Sequence, residues 1–210
     1  MSAPKHSPDW AQLFRIACAV IRQANAEQAV ITHWTFGGGT AMMLQIDHRE
    51  SHDIDIFLPD PQLLPLLDPQ KRDFKLEVAP TEYEGDGTRF LKLAFKDIGQ
   101  IDFIVGSSMT SSPTIRRTIE GESVELENVP EIITKKIYHR GASIRPRDIF
   151  DIAAAAEKHT DAIVEAFAFL PGQGSKDTPY SRQAEPRLCQ WRDCRHGNQG
   201  PIQIDRKYSS

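Results

Sequence analysis

The chain has 210 residues, of which 40% are hydrophobic and 26% charged, and its formal net charge is −4. This length is sufficient for one domain with a full core, and the sequence contains no apolar run of about 18 residues that would cross a membrane. Three cysteines are too few for a disulfide framework, and the N-terminus lacks the apolar segment of a secretory signal. We therefore expect a cytoplasmic protein that does not bind membranes.

Charge is divided unevenly along the chain. Residues 171–210 hold seven Lys or Arg and four Asp or Glu, a balance of +3, which leaves −7 for residues 1–170. An acidic body is not typical of a protein that grips a long nucleic-acid backbone, but it suits a site that gathers carboxylates around divalent cations. An RNA partner would then be held by a local patch.

The first half of the chain predicts helices and strands in alternation. Apolar residues at helical spacing predict an amphipathic helix from Pro8 to about Ala26. A β-branched and aromatic run predicts a strand over Ala29–Phe36, which three glycines end, with Thr40 as the N-cap of the next helix. Alternation predicts a strand over Asp53–Leu58, and a short helix is expected at Gln62–Leu67.

The second half adds strands and then helices. Strands are predicted at Phe74–Val78, Phe90–Phe95, Ile101–Val105 and Val124–Val129, with a Ser/Thr loop over Ser107–Thr114. Helices are predicted at Pro130–His139, Arg147–His159 and Asp161–Leu170. This order favours an α+β fold, a mixed sheet with flanking helices and a helical C-terminal part. Residues 171–210 have eight Pro or Gly and little hydrophobic content, so a domain over 1–170 and a disordered tail are expected.

Two aspartates on one strand predict a metal site. Asp53 and Asp55 lie at i and i+2, so their side chains share a face about 7 Å apart at the backbone. Such carboxylates can converge on two divalent ions, and Mg²⁺ (or Mn²⁺) prefers oxygen ligands. A third acid on a neighbouring strand usually completes such a site, and Asp102 is the candidate by its placement. Metal-dependent transfer of a nucleotidyl group needs this arrangement.

The glycines before the second helix predict a phosphate site. Gly38 and Gly39 carry no Cβ, so the main chain can approach a triphosphate closely. The helix that follows offers N–H donors, and Thr40 adds a hydroxyl. Strand, Gly-Gly-Thr, short helix, thirteen residues and then Asp-Ile-Asp-Ile resemble the signature of the DNA polymerase-β-like nucleotidyltransferase superfamily.

A closer resemblance is carried by two stretches. The first runs from Gly38-Gly39-Thr40-Ala41 to Arg49-x-Ser51-x-Asp53-Ile54-Asp55-Ile56-Phe57. The second is Pro130-Glu131-Ile132-Ile133-x-x-Lys136, Arg140 and Arg147-Asp148-Ile149-Phe150-Asp151-Ile152. Together they resemble the AbiEii/AbiGii nucleotidyltransferases, toxins of type IV toxin–antitoxin and abortive-infection systems, over roughly residues 30–160.

This resemblance implies roles for particular residues. Asp53, Asp55 and the candidate Asp102 would bind metal, and the first stretch (Gly38, Gly39, Thr40, Arg49 and Ser51) would bind the nucleotide, with Arg49 and Ser51 steadying the triphosphate or the strand itself. Lys136, or the adjacent Lys135, would contact phosphate oxygens, and Asp148 would position Lys136 or the incoming hydroxyl. His48 and His52 are interpreted as loop residues, and Asp151 as an acid of the first helical turn with a smaller role.

The resemblance implies an enzyme that moves an NMP from an NTP to an acceptor. The implied acceptor is RNA, notably a tRNA end, or a protein hydroxyl, and an antitoxin encoded nearby is the implied partner. Two alternatives remain open. One is a small-molecule transferase of the aminoglycoside-modifying type, which the acidic body would suit. The other is a catalytically inactive nucleotidyltransferase-like module that binds a nucleotide or a partner, since the chain enters its tail where this family continues with helices.

Overall fold

A computed structural model describes residues 9–160 and 163–164 of the chain. The predicted tail over 171–210 and most of the predicted helix over Asp161–Leu170 lie outside these residues. Within the described part, no helix is both long enough and apolar enough to cross a membrane.

Seven strands in the described residues form one mixed sheet. In chain order they are β1 (Thr35–Gly37), β2 (Ile54–Leu58), β3 (Glu82–Gly85), β4 (Phe90–Phe95), β5 (Gly99–Val105), β6 (Thr114–Ile119) and β7 (Glu122–Glu127). Their spatial order is β3-β4-β5-β2-β1-β7-β6. β2 runs parallel to β5 and β1 runs parallel to β7, while the remaining neighbours are antiparallel. The strand with the Asp-Ile-Asp motif is therefore at the centre of the sheet.

Helices flank this sheet. They are α1 (Asp9–Ala24), α2 (Gly38–Ile46), α3 (Leu64–Leu67, preceded by a 3₁₀ turn over Pro61–Leu63), α4 (Val129–Arg140) and α5 (Pro146–Lys158). Pro130 lies in the first turn of α4, and the Asn128 side chain caps that turn by accepting from the Glu131 N–H at 3.0 Å. A mixed sheet with flanking helices and two C-terminal helices confirms the predicted fold class.

The two faces of β2 have different environments. Ile54, Ile56 and Leu58 are completely buried in the core that α1 covers, where the Phe14 and Phe36 rings pack with centroids 5.1 Å apart. Because side chains alternate along a strand, Asp55 projects from the opposite face. The sequence pattern thus places hydrophobic residues toward α1 and leaves the carboxylate on the functional face.

The predicted strand over Phe74–Val78 is wrong, although its alternating pattern has a structural cause. Phe74, Leu76 and Val78 are partly buried against the core, but no strand pairs with them. The Gln23 side chain bonds the backbone of Lys75 instead, donating to its carbonyl at 2.9 Å and accepting from its N–H at 2.8 Å. The Gln23 side chain of α1 therefore makes the backbone hydrogen bonds that a neighbouring strand would otherwise make.

Other predicted boundaries are also corrected. The strand predicted over Ala29–Phe36 begins only at Thr35, because the Asn25 side chain bonds the backbone of residues 30 and 31 into a loop. The fully exposed strand β3 and the strand β6, which begins at the end of the predicted Ser/Thr loop, were not predicted. Thr40 is not an N-cap, because α2 begins at Gly38 and Gly37 occupies the N-cap position. The Thr40 hydroxyl bonds the Asp53 carbonyl oxygen instead.

Candidate active site

Strand register brings Asp55 and Asp102 side by side. β2 and β5 are parallel and aligned so that Asp55 is directly opposite Asp102, on strands that lie about 4.8 Å apart. Asp53 precedes β2 by one residue, and its Oδ1 accepts from the Gln100 N–H at 3.3 Å. The acid that was selected by placement alone is thus the cross-strand neighbour of the motif aspartate.

Among the described residues, the one ion pair of these carboxylates is a long contact between Asp102 and Lys92. Asp102 Oδ2 accepts from Gln100 Nε2 at 3.3 Å, while its buried Oδ1 has no hydrogen bond within the described residues and lies 3.9 Å from Lys92 Nζ. Burial and the negative charge of Asp102 raise the pKa of Asp55 to about 6. Burial likewise raises the pKa of Asp102. Two acids therefore repel each other at the centre of the sheet.

The site fits a divalent cation by its donor chemistry. Asp53, Asp55 and Asp102 offer hard oxygen ligands, and the buried Asp102 Oδ1 lacks a donor. Across the described chain, no three His, Cys, Asp or Glu side chains are gathered closely enough to hold an ion as they stand. The Asp53 carboxylate is directed toward Gln100 instead, as expected when like charges separate. Metal binding by this set stays a prediction.

The glycine run makes room for side chains of this site. A Cβ on Gly38, whose φ is +72°, would lie 1.7 Å from Asp55 Oδ2. A Cβ on Gly39 would lie 2.8 Å from Arg49 Nη2 and 2.9 Å from Ser51 Oγ. The space that the sequence predicted for a triphosphate is therefore filled by the carboxylate, the guanidinium and the hydroxyl at the start of α2. A phosphate contact by these glycines stays a prediction.

Thr40 fixes the strand that carries the aspartates. Its side chain is fully buried and its hydroxyl donates to the Asp53 carbonyl oxygen at 2.5 Å, with Ser51 Oγ 3.1 Å away. Of the predicted nucleotide residues, Thr40 thus holds the backbone at Asp53, and Ser51 lies beside the Thr40 hydroxyl. Their contact with phosphate stays a prediction.

Asp151 is the residue whose importance the sequence did not reveal. It is fully buried, and Arg49 binds both of its oxygens, with Nε 2.6 Å from Oδ1 and Nη2 3.0 Å from Oδ2. His48 Nε2 is 2.9 Å from Oδ1 and Lys136 Nζ is 3.0 Å from Oδ2. Burial opposes ionisation, but the hydrogen bonds from Arg49 and Lys136 lower the pKa of Asp151 to about 2. One carboxylate thus joins α5, α4 and the loop before β2.

The two candidate lysines have different environments. Lys136 Nζ lies 3.2 Å from Asp148 Oδ1, and Arg140 Nη1 lies 3.2 Å from Asp148 Oδ2. Lys135 is buried on the other side of α4, where its Nζ lies 2.5 Å from Glu127 Oε1, 3.4 Å from Glu131 Oε1 and 3.9 Å above the Phe57 ring. Because Lys135 is enclosed, the geometry favours Lys136 as the lysine for phosphate.

The ionic cluster beside the aspartates has a surplus of positive charge. Arg49, Lys136 and Arg140 face two carboxylates, Asp148 and Asp151. Lys136 and Arg140 are close enough to Asp55 to lower its pKa, against the larger effect of burial. Burial also lowers the pKa of His48, so His48 is neutral at neutral pH and does not alter this balance. A polyanion at this edge would meet net positive charge opposite the carboxylates.

The mixed sheet with flanking helices agrees with a family match over most of the described chain. A family model described as nucleotidyl transferase AbiEii toxin of type IV toxin–antitoxin systems matches residues 21–173. The chain belongs to this family, and the predicted family and enzyme class are confirmed.

Solved structures of low sequence identity were also compared. The antibiotic-resistance factor ANT(2'')-Ia is 16% identical with a TM-score of 0.48, covering 75% of this chain and 92% of that one. A nucleotidyltransferase-like antigenic protein of Paracoccidioides brasiliensis is 16% identical with a TM-score of 0.44, covering 77% and 87%. The nucleotidyltransferase toxin MenT4 of Mycobacterium tuberculosis H37Rv is 15% identical with a TM-score of 0.43, covering 72% and 61%. A search of curated proteins found no match.

Substituting Gly38 should disable the site through Asp55. Gly38→Ala places a methyl group 1.7 Å from Asp55 Oδ2 at a φ of +72°, and displacing a catalytic group by about 1 Å costs on the order of 100-fold in rate. Gly121→Ala is the matched control, since its φ is +83° and nothing lies within 4 Å of the added Cβ. Both variants should lose stability in thermal melts from the positive φ, and Gly38→Ala should lose more because of its clash with Asp55. Equal nucleotidyl transfer by the two variants would contradict this explanation.

Asp151→Asn should destabilise the fold by about 3 kcal/mol in urea denaturation, the low end for a broken buried pair, because Arg49 loses its buried counter-charge while Lys136 keeps Asp148. The double variant Asp151→Asn/Arg49→Met should lose less than the sum of the two single variants, since the pair interacts directly. Glu157→Gln on the exposed side of α5 is the control. Additive losses would show that the junction is not a coupled unit.

Asp55→Asn should stabilise the metal-free protein at neutral pH. The pKa of Asp55 is about 6 in the folded chain against an ordinary value of 3.8. Stability is therefore lost as pH rises from about 4 to 6, because the folded carboxyl must then give up a proton it holds more tightly. The variant lacks this loss, so its advantage in EDTA should grow over that window to the order of 2 kcal/mol. A pH-independent difference in denaturation midpoint would refute the assignment.

Proposed function

We propose that this chain is a metal-dependent toxin that transfers an NMP from an NTP to an RNA acceptor, with a tRNA end as the leading candidate. The observation that carries the proposal is the position of Asp55 and Asp102 in one cross-strand register beside a cluster with surplus positive charge. Acids on one side and cations on the other suit a reaction whose substrate is a polyphosphate.

The proposed reaction is an in-line displacement at the α-phosphorus. The acceptor hydroxyl oxygen forms a bond to the α-phosphorus, the bond to the oxygen bridging to the β-phosphate breaks, and pyrophosphate leaves with the electron pair. The hydroxyl proton passes to a carboxylate or to solvent. When bound at Asp53, Asp55 and Asp102, Mg²⁺ or Mn²⁺ would neutralise phosphate charge and make the hydroxyl more acidic.

Residues of this chain would hold the phosphates of the leaving group and keep Asp53 in position. Lys136 would place its ammonium on oxygens of the β- and γ-phosphates, as a compact point charge that leaves its present partners Asp148 and Asp151 only slightly. Arg140, on the outer side of Asp148, would add charge toward the leaving pyrophosphate. Thr40 and Ser51 would keep Asp53 in place during the displacement.

Purified protein incubated with Mg²⁺ and each α-labelled NTP tests this proposal. Total RNA, a protein lysate and an aminoglycoside mixture serve as separate acceptors. Wild type should label RNA with one preferred NTP, and Asp55→Ala and Asp102→Asn should lose at least about 1,000-fold, since removing a group that stabilises developing charge has effects of this size. Asp73→Asn, an exposed acid far from the site in sequence, should label normally.

Other outcomes separate the alternatives. Labelling of the aminoglycoside pool but not RNA would identify a small-molecule transferase. Labelling of protein alone would replace the RNA acceptor by a protein hydroxyl. Tight NTP binding in calorimetry without pyrophosphate release on any acceptor would identify an inactive module. Equal labelling by wild type and Asp55→Ala would refute the proposed site.

A further inference from the structure

Exposed apolar side chains concentrate where α4 meets α5. Eight large hydrophobic side chains are exposed in the described residues, and four of them lie within positions 138–150: Tyr138 at 38%, Ile144 at 36%, Ile149 at 59% and Phe150 at 52%. Scattered exposed hydrophobics need no explanation, but a cluster on one corner indicates a binding surface. We name residues 138–150 the α4–α5 corner.

The corner is also basic. It contains Arg140, Arg145 and Arg147, and its one acid, Asp148, is buried and paired with Lys136 and Arg140. Arg145 and Arg147 are exposed and make no ion pair with another described residue in this structure. Residues 1–170 carry a net balance of −7. The positive charge of the corner is therefore a local feature, opposite in sign to the charge of this part of the chain as a whole.

The corner is continuous with the candidate active site. The Phe150 ring stacks on His48 with centroids 6.3 Å apart and an interplanar angle of 20°, and His48 bonds Asp151. Arg140 shares Asp148 with Lys136. Phe150 is thus linked through His48 to Asp151, the carboxylate that also binds Arg49 and Lys136.

We propose that the α4–α5 corner binds the single-stranded end of the acceptor RNA, an inference that rests on the proposed function. Proteins that bind single-stranded nucleic acid commonly present exposed aromatic rings among arginines. Bases stack on the rings, and phosphates pair with the guanidinium groups. Phe150 and Tyr138 supply stacking surfaces, and Arg145 and Arg147 contact phosphates. The positive charge disfavours a basic peptide, and exposed rings suit unstacked bases, which a duplex does not present.

Direct binding tests this proposal without relying on turnover. Fluorescence anisotropy is measured with a labelled single-stranded RNA of about 12 nucleotides. Arg145→Gln/Arg147→Gln should bind at least about tenfold more weakly, and the slope of log affinity against log salt should fall by about 1.4, since each lost phosphate contact removes about 0.7. Phe150→Leu keeps an apolar cover on His48 but removes the stacking face, so it should also weaken binding about tenfold.

Matched controls separate this corner from general effects. Arg22→Gln/Arg116→Gln removes exposed arginines of α1 and β6, and Tyr83→Leu removes an exposed aromatic of β3. Both should leave RNA affinity within about twofold. Arg145→Lys/Arg147→Lys should restore the salt slope. Calorimetric NTP affinity and thermal melting should be unchanged in all corner variants.

The outcomes distinguish this inference from the proposed function. If the enzyme labels RNA and the corner variants have an unchanged KM for RNA, the proposed RNA binding by the corner is overturned. The proposed function would then remain intact. If RNA is not labelled but the corner variants bind RNA more weakly than wild type, the proposed function is overturned. RNA binding by the corner would then be supported. Equal affinity for RNA, an RNA duplex and polyglutamate would overturn it, because charge alone would then explain binding.

Discussion

The repulsion between Asp55 and Asp102 is the constraint around which the site is arranged. Parallel pairing of β2 with β5 makes them cross-strand neighbours, and like charges in that position destabilise a sheet. The surrounding residues reduce this cost without removing it. Lys92 lies beside Asp102, and Lys136 and Arg140 act on Asp55 from the α4 side, yet the pKa of Asp55 stays near 6. A carboxylate pair that the fold compensates only in part is suited to bind a cation.

The glycine run and the Asp151 junction make this arrangement tolerable. Gly38 leaves room for the Asp55 carboxylate at the start of α2, and Gly39 leaves room for Arg49. Arg49 then binds Asp151, which also binds Lys136. The loop that positions the acids is thereby tied to the helices that position the cations.

The sequence predicted the acids better than the contacts between distant segments. Period-two alternation is a local property, so it located β2, whereas Asp102 was a candidate only by the placement of its strand after β2 in the chain. The Asp151 junction joins residues separated by about a hundred positions, with Arg49 and His48 on one side and α5 on the other. Its only local signal was the i, i+3 spacing of Asp148 and Asp151, which puts both on one helix face. That spacing shows a shared face but not what the face contacts.

The same limit explains the errors in secondary structure. Phe74–Val78 alternates because alternate side chains reach the core, but a strand also needs a neighbour, and Gln23 takes that place. β6 was not predicted because its sequence, TIRRTI, has polar residues, and among the described strands it pairs with β7 alone at an edge of the sheet. Thr40 has the residue type of an N-cap, yet it lies inside the helix because a longer-range bond to Asp53 uses its hydroxyl. Local preference was overruled by tertiary contact in each case.

The two adjacent lysines of α4 show how the fold divides charge between structure and chemistry. Neighbours on a helix point about 100° apart, so one of the pair must face the sheet while the other faces α5. Lys135 takes the inner position, where Glu127, Glu131 and the Phe57 ring enclose it, and Glu131 in turn accepts from the backbone N–H groups of Met109 and Thr110. A buried charge with these partners serves to fix α4 against the strand that carries Asp55. Lys136 thereby takes the outer position, where its side chain is partly exposed and its ammonium lies beside Asp148. The cluster around Lys135 keeps α4, and with it Lys136, in this position.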